Sequence, residues 1–305
     1  AVQAACEALR AGDAGAEPSA ALEQRIERLR ALVLDPLRLP DNTRRLLISP
    51  DRSLCYVPFP LLLSAQPDLE VACLPSGTTL RVLLEERAHA GRGVLALGDP
   101  NYVIEHQGRS LHVYAEGVPL QPLPATRPEV TASPGPPDQR LLGNHATVRS
   151  LGEVAAPRRR WRVIHLACHG LIDPHTPTLS ALALTPEPDD DGFLTALEVY
   201  GMNLPADLVV LSGCNTGRGH FLRGDGLVGL MRAFMCAGAP RVVASLWKVD
   251  DQATRALMTR FHALLREGGV SPSRALRRAQ AEIRAQPRWH HPRYWAAWVV
   301  WGLSD

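Results

Sequence analysis

The chain has 305 residues, of which 46% are hydrophobic and 21% charged, a globular balance that excludes wholesale disorder. Its 33 basic and 31 acidic residues give a formal net charge of +2, which excludes a strongly basic nucleic-acid binder, so we expect no direct nucleic-acid binding. Lys248 is the single lysine among the basic residues, a bias that we attribute to coding preference.

Residues 1–35 predict a helical segment at the start of the chain. Apolar residues from Leu22 to Val33 recur at helical spacing, and Pro36 and Pro40 end the pattern. The chain has no initiator Met, so we expect this segment to be the end of a preceding helical region in a longer protein.

The next part of the chain predicts a mixture of strands and helices. Short apolar runs on both sides of a turn predict two strands within 44–63. Residues 74–88 predict a turn and a helix, and the apolar run within 93–102 predicts a strand that enters a loop. Residues 117–140 hold seven prolines and predict a stiff, exposed connector. We place a boundary near residue 150, between an N-terminal subdomain (36–150) and a second subdomain (151–305).

The second subdomain alternates apolar runs with helical patterns. Buried strands are predicted over 162–168, 179–184, 207–214, 241–247 and 294–302. Helices are predicted over 195–202, over the apolar stripe 227–235 that ends at Gly238, and twice more between 251 and 285. This alternation predicts an α/β fold with a mostly parallel sheet.

Two of the predicted strands end in reactive residues. One runs into Cys168, His169 and Gly170, and another into Gly213 and Cys214. Ligands of open α/β sheets bind beyond the carboxyl ends of the strands, so neighbouring strands would bring His169 and Cys214 to one crevice. The pair is a candidate thiol nucleophile with its general acid/base. The backbone N–H groups of Gly170 and Cys214 are candidate oxyanion donors.

Other readings of these residues stay open. A cysteine in a strand is most often structural, which suits Cys168 and Cys236, and His165 is predicted to be a core histidine with its hydrogen bonds satisfied. A zinc site of Cys168, His169, Cys214 and His220 is possible, but the spacing matches no common zinc motif.

A glycine motif offers a third reading. Residues 224–229 match G-x-G-x-x-G and open a helix, but Gly224 lies ten positions beyond Cys214 instead of directly after a strand. We prefer a structural account, in which Asp225 caps the helix and Gly229 permits close packing. Nucleotide binding is therefore the weaker hypothesis.

The sequence shows neither an apolar stretch of membrane-spanning length nor a signal peptide. Its six scattered cysteines include no C-x-x-C pair, so a disulfide framework is not expected. These features predict a protein of the reducing cytoplasm, without a membrane span.

An ordered series of motifs runs through most of the chain: PDRSLCYVPFPLLL, LGDPNY, LLGNHATV, HLACHG, DGFLTALEV, DLVVLSGCNTGRG, GDGLVGLMRAFMCAGAPRVVASLWKVDDQAT, LREG, ALRRAQ and HPRYWAAWVVWG. The series, over roughly residues 36–305, resembles the CHAT family of caspase-like cysteine peptidases related to separase. Two departures are small: the family commonly has Ala before the cysteine and Glu in a G-E-G-L segment, where this chain has Gly213 and Asp225.

The resemblance implies a caspase-like α/β/α sandwich with a degenerate N-terminal half and an active C-terminal half. It implies a dyad of His169 and Cys214, a protein substrate, no cofactor or metal, and an upstream helical-repeat or sensor domain that regulates activity. Asp173, Asp225 and Asp250 are candidates for binding a basic substrate side chain, although a turn or cap role suits each. The competing hypothesis is a catalytically silent scaffold.

Overall fold

One large sheet organises the chain in a computed structural model, which describes residues 6, 9, 20–66, 68–85, 90–115, 117–132, 139–155, 160–173, 175–213 and 225–305. The helices of these ranges are α1 (Ala20–Val33), α2 (Phe59–Leu62), α3 (Gly77–Glu85), α4 (Thr126–Ala132), α5 (Val148–Ala155), α6 (Ala196–Gly201), α7 (Asp225–Cys236), α8 (Asp251–Glu267) and α9 (Pro272–Arg284). None of the helices in this described part is long and apolar enough to cross a membrane.

The strands within the same ranges are β1 (Arg45–Ile48), β2 (Glu70–Cys73), β3 (Val94–Pro100), β4 (Val103–His106), β5 (Arg109–His112), β6 (Tyr114–Ala115), β7 (Val118–Pro119), β8 (Gln139–Gly143), β9 (Trp161–Ala167), β10 (His169–Leu171), β11 (Ala181–Ala183), β12 (Phe193–Thr195), β13 (Ala206–Leu211), β14 (Arg241–Ser245) and β15 (Trp298–Gly302). The large sheet has the order β1-β2-β15-β14-β13-β9-β3-β8. Every neighbouring pair in it is parallel except β14 and β15, so the predicted mostly parallel α/β sheet is confirmed.

The central strands form because their sequences are almost continuously apolar. Successive residues of β9, β13 and β14 are buried on both sides of the pleat, as expected for a parallel sheet covered on both faces. Two small sheets, β10-β11-β12 and the hairpin β4-β5, stand off the carboxyl ends of β9 and β3. This edge of the large sheet therefore carries most of the irregular structure.

Strands from both sides of residue 150 share the large sheet. β3 and β8 come from the predicted N-terminal subdomain, and β9 and β13 come from the second. Residue 150 lies within α5. The division into subdomains stays a prediction.

Two local predictions are wrong. The second strand predicted within 44–63 is instead a 3-10 turn (Arg52–Tyr56) followed by α2, because Pro58 and Pro60 remove backbone donors that a strand ladder needs. The proline-rich segment 117–140 is not a stiff, exposed connector, since it contains β7, α4 and the start of β8 and buries Leu120 and Val130. Pro128 fits in the first turn of α4, where backbone N–H groups have no intrahelical partner.

Most of the predictions for individual packed residues are confirmed, and one is wrong. Cys168 is fully buried and His165 is 1% exposed, so both core assignments are confirmed. Gly229 packs closely as predicted, because a Cβ atom there would lie 3.1 Å from Pro177 Cβ. Cys236 is exposed, and its predicted burial is wrong, since the last turn of α7 points this residue away from the core.

Candidate active site

Two neighbouring strands end side by side where the sequence predicts the reactive groups. β9 and β13 run parallel in adjacent positions of the sheet. The Ser212 N–H donates to the Leu166 carbonyl oxygen over 2.8 Å, so the pairing continues past the end of β13. His169 and Gly213 therefore leave the sheet at the same edge.

Gly213 is the last residue described before the predicted nucleophile. A Cβ atom on Gly213 would lie 3.0 Å from the Cys168 carbonyl oxygen and 3.2 Å from the Gly170 nitrogen. These separations are too short for most side chains, so the close approach of the two backbones favours glycine. Cys214 itself lies outside the described residues. The backbone that leads into it touches both chain neighbours of His169.

The described chain resumes close to the same place. α7 begins at Asp225, and a Cβ atom on Gly226 would lie 2.6 Å from Ile172 Cγ2 and 2.8 Å from the Asp173 carbonyl oxygen. Both contacts are with the chain just after β10. Gly213 and Gly226 therefore both lie against the chain around β10, the strand that begins with His169.

The His169 imidazole is held from one side. Its Nε2 lies 2.8 Å from the Gln121 carbonyl oxygen, which can only accept, so Nε2 carries the proton and Nδ1 the lone pair. The backbone N–H of His169 donates to Tyr102 Oη over 3.1 Å, and the two rings lie 5.1 Å apart. This arrangement fixes the tautomer and the ring orientation that a general base needs.

The pKa of His169 is lowered from its usual value. Burial is the main cause, because it disfavours the charged imidazolium, and the positive charge of Lys248 acts in the same direction. The hydrogen bond to the Gln121 carbonyl and the charge of Asp251 oppose the shift without reversing it. The imidazole is consequently neutral at neutral pH, with a lone pair available.

A small cavity of about 20 Å³ lies beside His169. Lys248 and Asp251 bring opposite charges to its wall. Its polar lining also includes Thr126, Glu129, Ser212 and Thr254. Burial, followed by the charge of Asp250, raises the pKa of Asp251. The surroundings of His169 are thus charged on one side and hydrogen-bonded on the other.

Cys168 is the alternative thiol at this edge, and its environment is unsuited to nucleophilic chemistry. Its side chain is fully buried, and burial raises the pKa of its thiol far above the usual value, with the charge of Glu129 adding to the shift. A protonated, inaccessible thiol is a poor nucleophile. Cys168 is therefore a structural cysteine.

The predicted substrate-binding carboxylates are occupied by local hydrogen bonds where their side chains are described. Asp173 accepts from the backbone N–H groups of His175 and Thr176, and these bonds lower its pKa. Asp250 caps α8 by accepting from two backbone N–H groups. Asp225 is the first residue of α7, but its side chain lies outside the described atoms. Substrate binding by these residues stays a prediction.

Two of the groups around His169 could not be identified from the sequence pattern. Gln121 acts through its backbone carbonyl, which any residue type would supply, and it lies in the segment predicted to be a connector. Asp251 falls in a helix start with ordinary composition. Lys248 is conspicuous as the single lysine of the chain, but that bias indicates coding preference and does not point to His169.

The described residues contain no group of three or more His, Cys, Asp and Glu side chains that could hold a metal ion. Two members of the alternative zinc site, Cys214 and His220, lie outside those residues. The glycine motif also begins outside them, at Gly224. β13 ends at Leu211, well before α7 begins, so the motif does not follow its strand directly.

A family model described as CHAT domain matches residues 22–303. Tetratricopeptide repeat protein 28 from Homo sapiens is 35% identical over 109 residues, which cover 36% of this chain and 4% of that protein. The Mus musculus protein is 34% identical over 109 residues. The chain thus spans about 4% of the length of these curated relatives.

Solved structures share the fold. The Saccharomyces cerevisiae separase–securin complex at 2.6 Å matches with a TM-score of 0.54 and 16% identity over 92% of this chain and 17% of that one. The Arg-specific cysteine proteinase gingipain R matches with a TM-score of 0.53 and 9% identity over 99% of this chain and 73% of that one. These similarities show the caspase-like α/β fold seen in separase and gingipain.

Proposed function

The chain belongs to the CHAT domain family, and we propose that it is a cysteine endopeptidase that uses His169 and Cys214. The family and the fold support a caspase-like peptidase. The observation that carries the proposal is the contact of Gly213 with the backbone on both sides of His169. Because Cys214 directly follows Gly213 in the sequence, this contact supports Cys214 as the partner of His169.

The proposed reaction begins with proton transfer from the Cys214 thiol to His169 Nδ1, the nitrogen that the Gln121 carbonyl leaves unprotonated. The thiolate attacks the carbonyl carbon of a peptide bond, and the negative oxygen receives hydrogen bonds from the N–H groups of Gly170 and Cys214. Collapse of this intermediate breaks the C–N bond, and His169 gives its proton to the leaving amine. An acyl-enzyme remains on Cys214.

Water completes the cycle. His169 takes a proton from a water molecule, whose oxygen attacks the thioester carbon. The second tetrahedral intermediate expels the Cys214 thiolate and releases the new carboxyl end of the substrate. The thiolate and the imidazole are then returned to their starting states, and each step uses only groups of this chain and water.

The proposal is tested by comparing cysteine variants. Wild type and the Cys214→Ala, His169→Ala and Cys168→Ala variants are incubated with a library of peptides from a digested proteome, and the new termini are identified by mass spectrometry. We expect new termini with wild type and Cys168→Ala only. Cleavage by Cys214→Ala would overturn the assignment of the nucleophile.

A thiol-reactive peptide electrophile separates a silent scaffold from a regulated enzyme. We expect such a reagent to modify Cys214 in the wild-type chain and to modify it much more slowly in His169→Ala. A folded wild-type chain that is never labelled at Cys214, also in its full-length context, would favour the scaffold hypothesis.

We also propose that an associated repeat domain controls the enzyme. The similarity to two tetratricopeptide repeat proteins suggests such a partner domain. An endopeptidase that was always active would damage other proteins, so control by a sensor domain suits the chemistry.

Substrate selection by Asp225 is tested by repeating the peptide profile with Asp225→Ala. An unchanged cleavage preference would dismiss this residue.

A further inference from the structure

A second cavity lies at the edge of the sheet opposite His169. Its volume is about 510 Å³, within the range of small-molecule pockets. It is lined by the first residues of β9, β13 and β14 and by the chain just after β15. Its distance from His169 along β9 is about 23 Å at the rise of an extended strand.

The floor of this cavity, which we call the distal cavity, is apolar. The side chains that form it come from three helices, two strands and the end of the chain: Leu83, Val163, Leu208, Met235, Leu265 and Leu303. Such a floor accommodates an apolar body and releases water from both surfaces.

The rim of the distal cavity is charged, and its acidic groups are already engaged. Asp207 accepts from the Gly91 N–H and from Arg160 Nε, each over 2.7 Å. Asp305 forms an ion pair with Arg45 over 3.2 Å. These two carboxylates therefore have little capacity for a cationic ligand.

Arg160, Arg162 and Arg241 bring positive charge to this rim. Arg160 is bound to Asp207, and Arg241 Nη1 donates to the Asp207 carbonyl oxygen over 3.2 Å. Arg162 is therefore the candidate for binding a ligand. Its side chain is exposed and lines the distal cavity. Within the part of the chain that the structure describes, its guanidinium makes no hydrogen bond or ion pair. A guanidinium binds carboxylate, sulfonate and phosphate groups through paired hydrogen bonds.

We infer that the distal cavity binds a small molecule with an apolar body and one anionic group, which pairs with Arg162. We further infer that its occupancy regulates the His169 centre, a step that rests on the proposed peptidase function. The apolar floor and the engaged carboxylates together favour this ligand class over a cation or a neutral polar molecule.

The coupling follows from elements that reach both sites. β9 carries Arg162 and Val163 near its start, at the distal cavity, and leads toward His169. β13 carries Leu208 near its start, at the same cavity, and leads toward Gly213. A ligand that shifts these rigid strands acts on both backbones of the catalytic edge.

Helix α8 provides a third connection. Asp251 and Thr254, in its first turn, line the small cavity beside His169. Leu265, in its last turn, lines the distal cavity. A ligand that packs against Leu265 therefore contacts a helix whose other end places a carboxylate next to the catalytic imidazole.

Calorimetry with three naphthalene compounds tests the binding site. We expect 1-naphthoate to bind wild type at least about tenfold more tightly than 1-naphthylmethylamine or 1-naphthylmethanol, a difference of roughly 1.4 kcal/mol. Arg162→Glu should weaken naphthoate binding by about tenfold or more. Leu265→Trp should abolish it by filling the cavity. Arg140→Glu, an exposed arginine on β8, is the matched control and should bind as wild type does.

Equal affinity for the three compounds, or naphthoate binding unchanged in both Arg162→Glu and Leu265→Trp, would overturn the site. Coupling is measured separately, as the naphthoate-dependent shift of the His169 imidazole signals in an NMR titration and as the rate of Cys214 labelling. Binding with no change in either readout would overturn the coupling. A chain that binds naphthoate and shifts the His169 signals but never labels Cys214 would contradict the peptidase function and leave the distal site standing.

Discussion

β9 carries one histidine in its middle, the chain just beyond β9 carries a second, and the two have different environments. His165 is 1% exposed, and both of its ring nitrogens are engaged: Nε2 lies 3.0 Å from Glu129 Oε1 and Nδ1 lies 3.0 Å from His262 Nε2. His169, the first residue of β10, has one nitrogen bound by the Gln121 carbonyl. The same residue type is thus a structural link at one position and a candidate base at the other.

The difference shows what separates a reactive histidine from a core histidine. A neutral imidazole has one donor and one acceptor nitrogen. In His165 the donor faces Glu129 and the acceptor faces His262, so no atom is left for a substrate. In His169 a backbone carbonyl takes the donor and fixes the tautomer, which leaves the acceptor for chemistry. Half-satisfied hydrogen bonding is therefore the feature that distinguishes His169, the proposed general base, from His165.

Removing the His169 imidazole should have the largest effect. We expect His169→Ala to lower kcat/KM for peptide cleavage by about 10³-fold, because the general base and acid are lost together. The free energy of unfolding should fall by only about 1 kcal/mol, the worth of one hydrogen bond. The measurements are steady-state kinetics and urea denaturation.

His175→Ala is the matched control for that experiment, since His175 is an exposed histidine a few residues after β10. This variant should keep wild-type kinetics and stability. A His169→Ala enzyme that cleaves as fast as the control would remove His169 from the mechanism.

The histidine in the middle of the strand should respond in the opposite way. Glu129→Leu leaves the His165 Nε2–H without an acceptor in the core, so we expect the free energy of unfolding to fall by about 2 kcal/mol. Glu129→Gln keeps an acceptor oxygen and should cost less than half as much. Urea denaturation measures the free energy of unfolding of both variants. Equal stability of the leucine variant and wild type would show that the hydrogen bond from His165 to Glu129 contributes nothing to stability.

Low pH should reduce the free energy of unfolding through His262, whose ring contacts His165 of β9. Its pKa is held well below the usual range, first by burial and then by the neighbouring His165. Below about pH 6.5 an unfolded chain takes up a proton at this position and the folded chain does not. Stability therefore falls as the pH decreases through this window, by up to about 1.4 kcal/mol per pH unit and proton.

The pH dependence is measured by urea denaturation between neutral and mildly acidic pH. His262→Gln removes the titration while keeping an amide donor toward His165, and its stability should depend less on pH in this window. A variant with the same slope as wild type would assign the acid sensitivity to other groups.

The sequence was sufficient to predict the structure where the residue types themselves indicate a buried strand. The almost continuous apolar run of β9 predicted a buried strand, and the structure confirms it. The sequence was insufficient to predict contacts made by backbone groups. The Gln121 carbonyl orients His169, but no residue type encodes a carbonyl, and the surrounding prolines suggested a connector.

Hydrogen bonds between residues far apart in the chain could not be predicted from the sequence either. Glu129 and His262 lie far from His165 along the chain, and only the packing of α4 and α8 against the sheet brings them together. The second strand expected within 44–63 failed for a local reason, because prolines on both sides of Phe59 favour a helical turn over a ladder.

The smallest expected effect lies on the charged side of His169. Lys248 lowers the pKa of His169 and Asp251 raises it, so neutralising each charge should move the acid limb of the pH–kcat/KM profile in opposite directions. Lys248→Met should raise the pKa of His169 and shift the limb to higher pH, whereas Asp251→Asn should shift it to lower pH. Because Lys248 is exposed, its shift should shrink in high salt. Shifts in the same direction for both variants would mean that packing, and not charge, sets the titration of this imidazole.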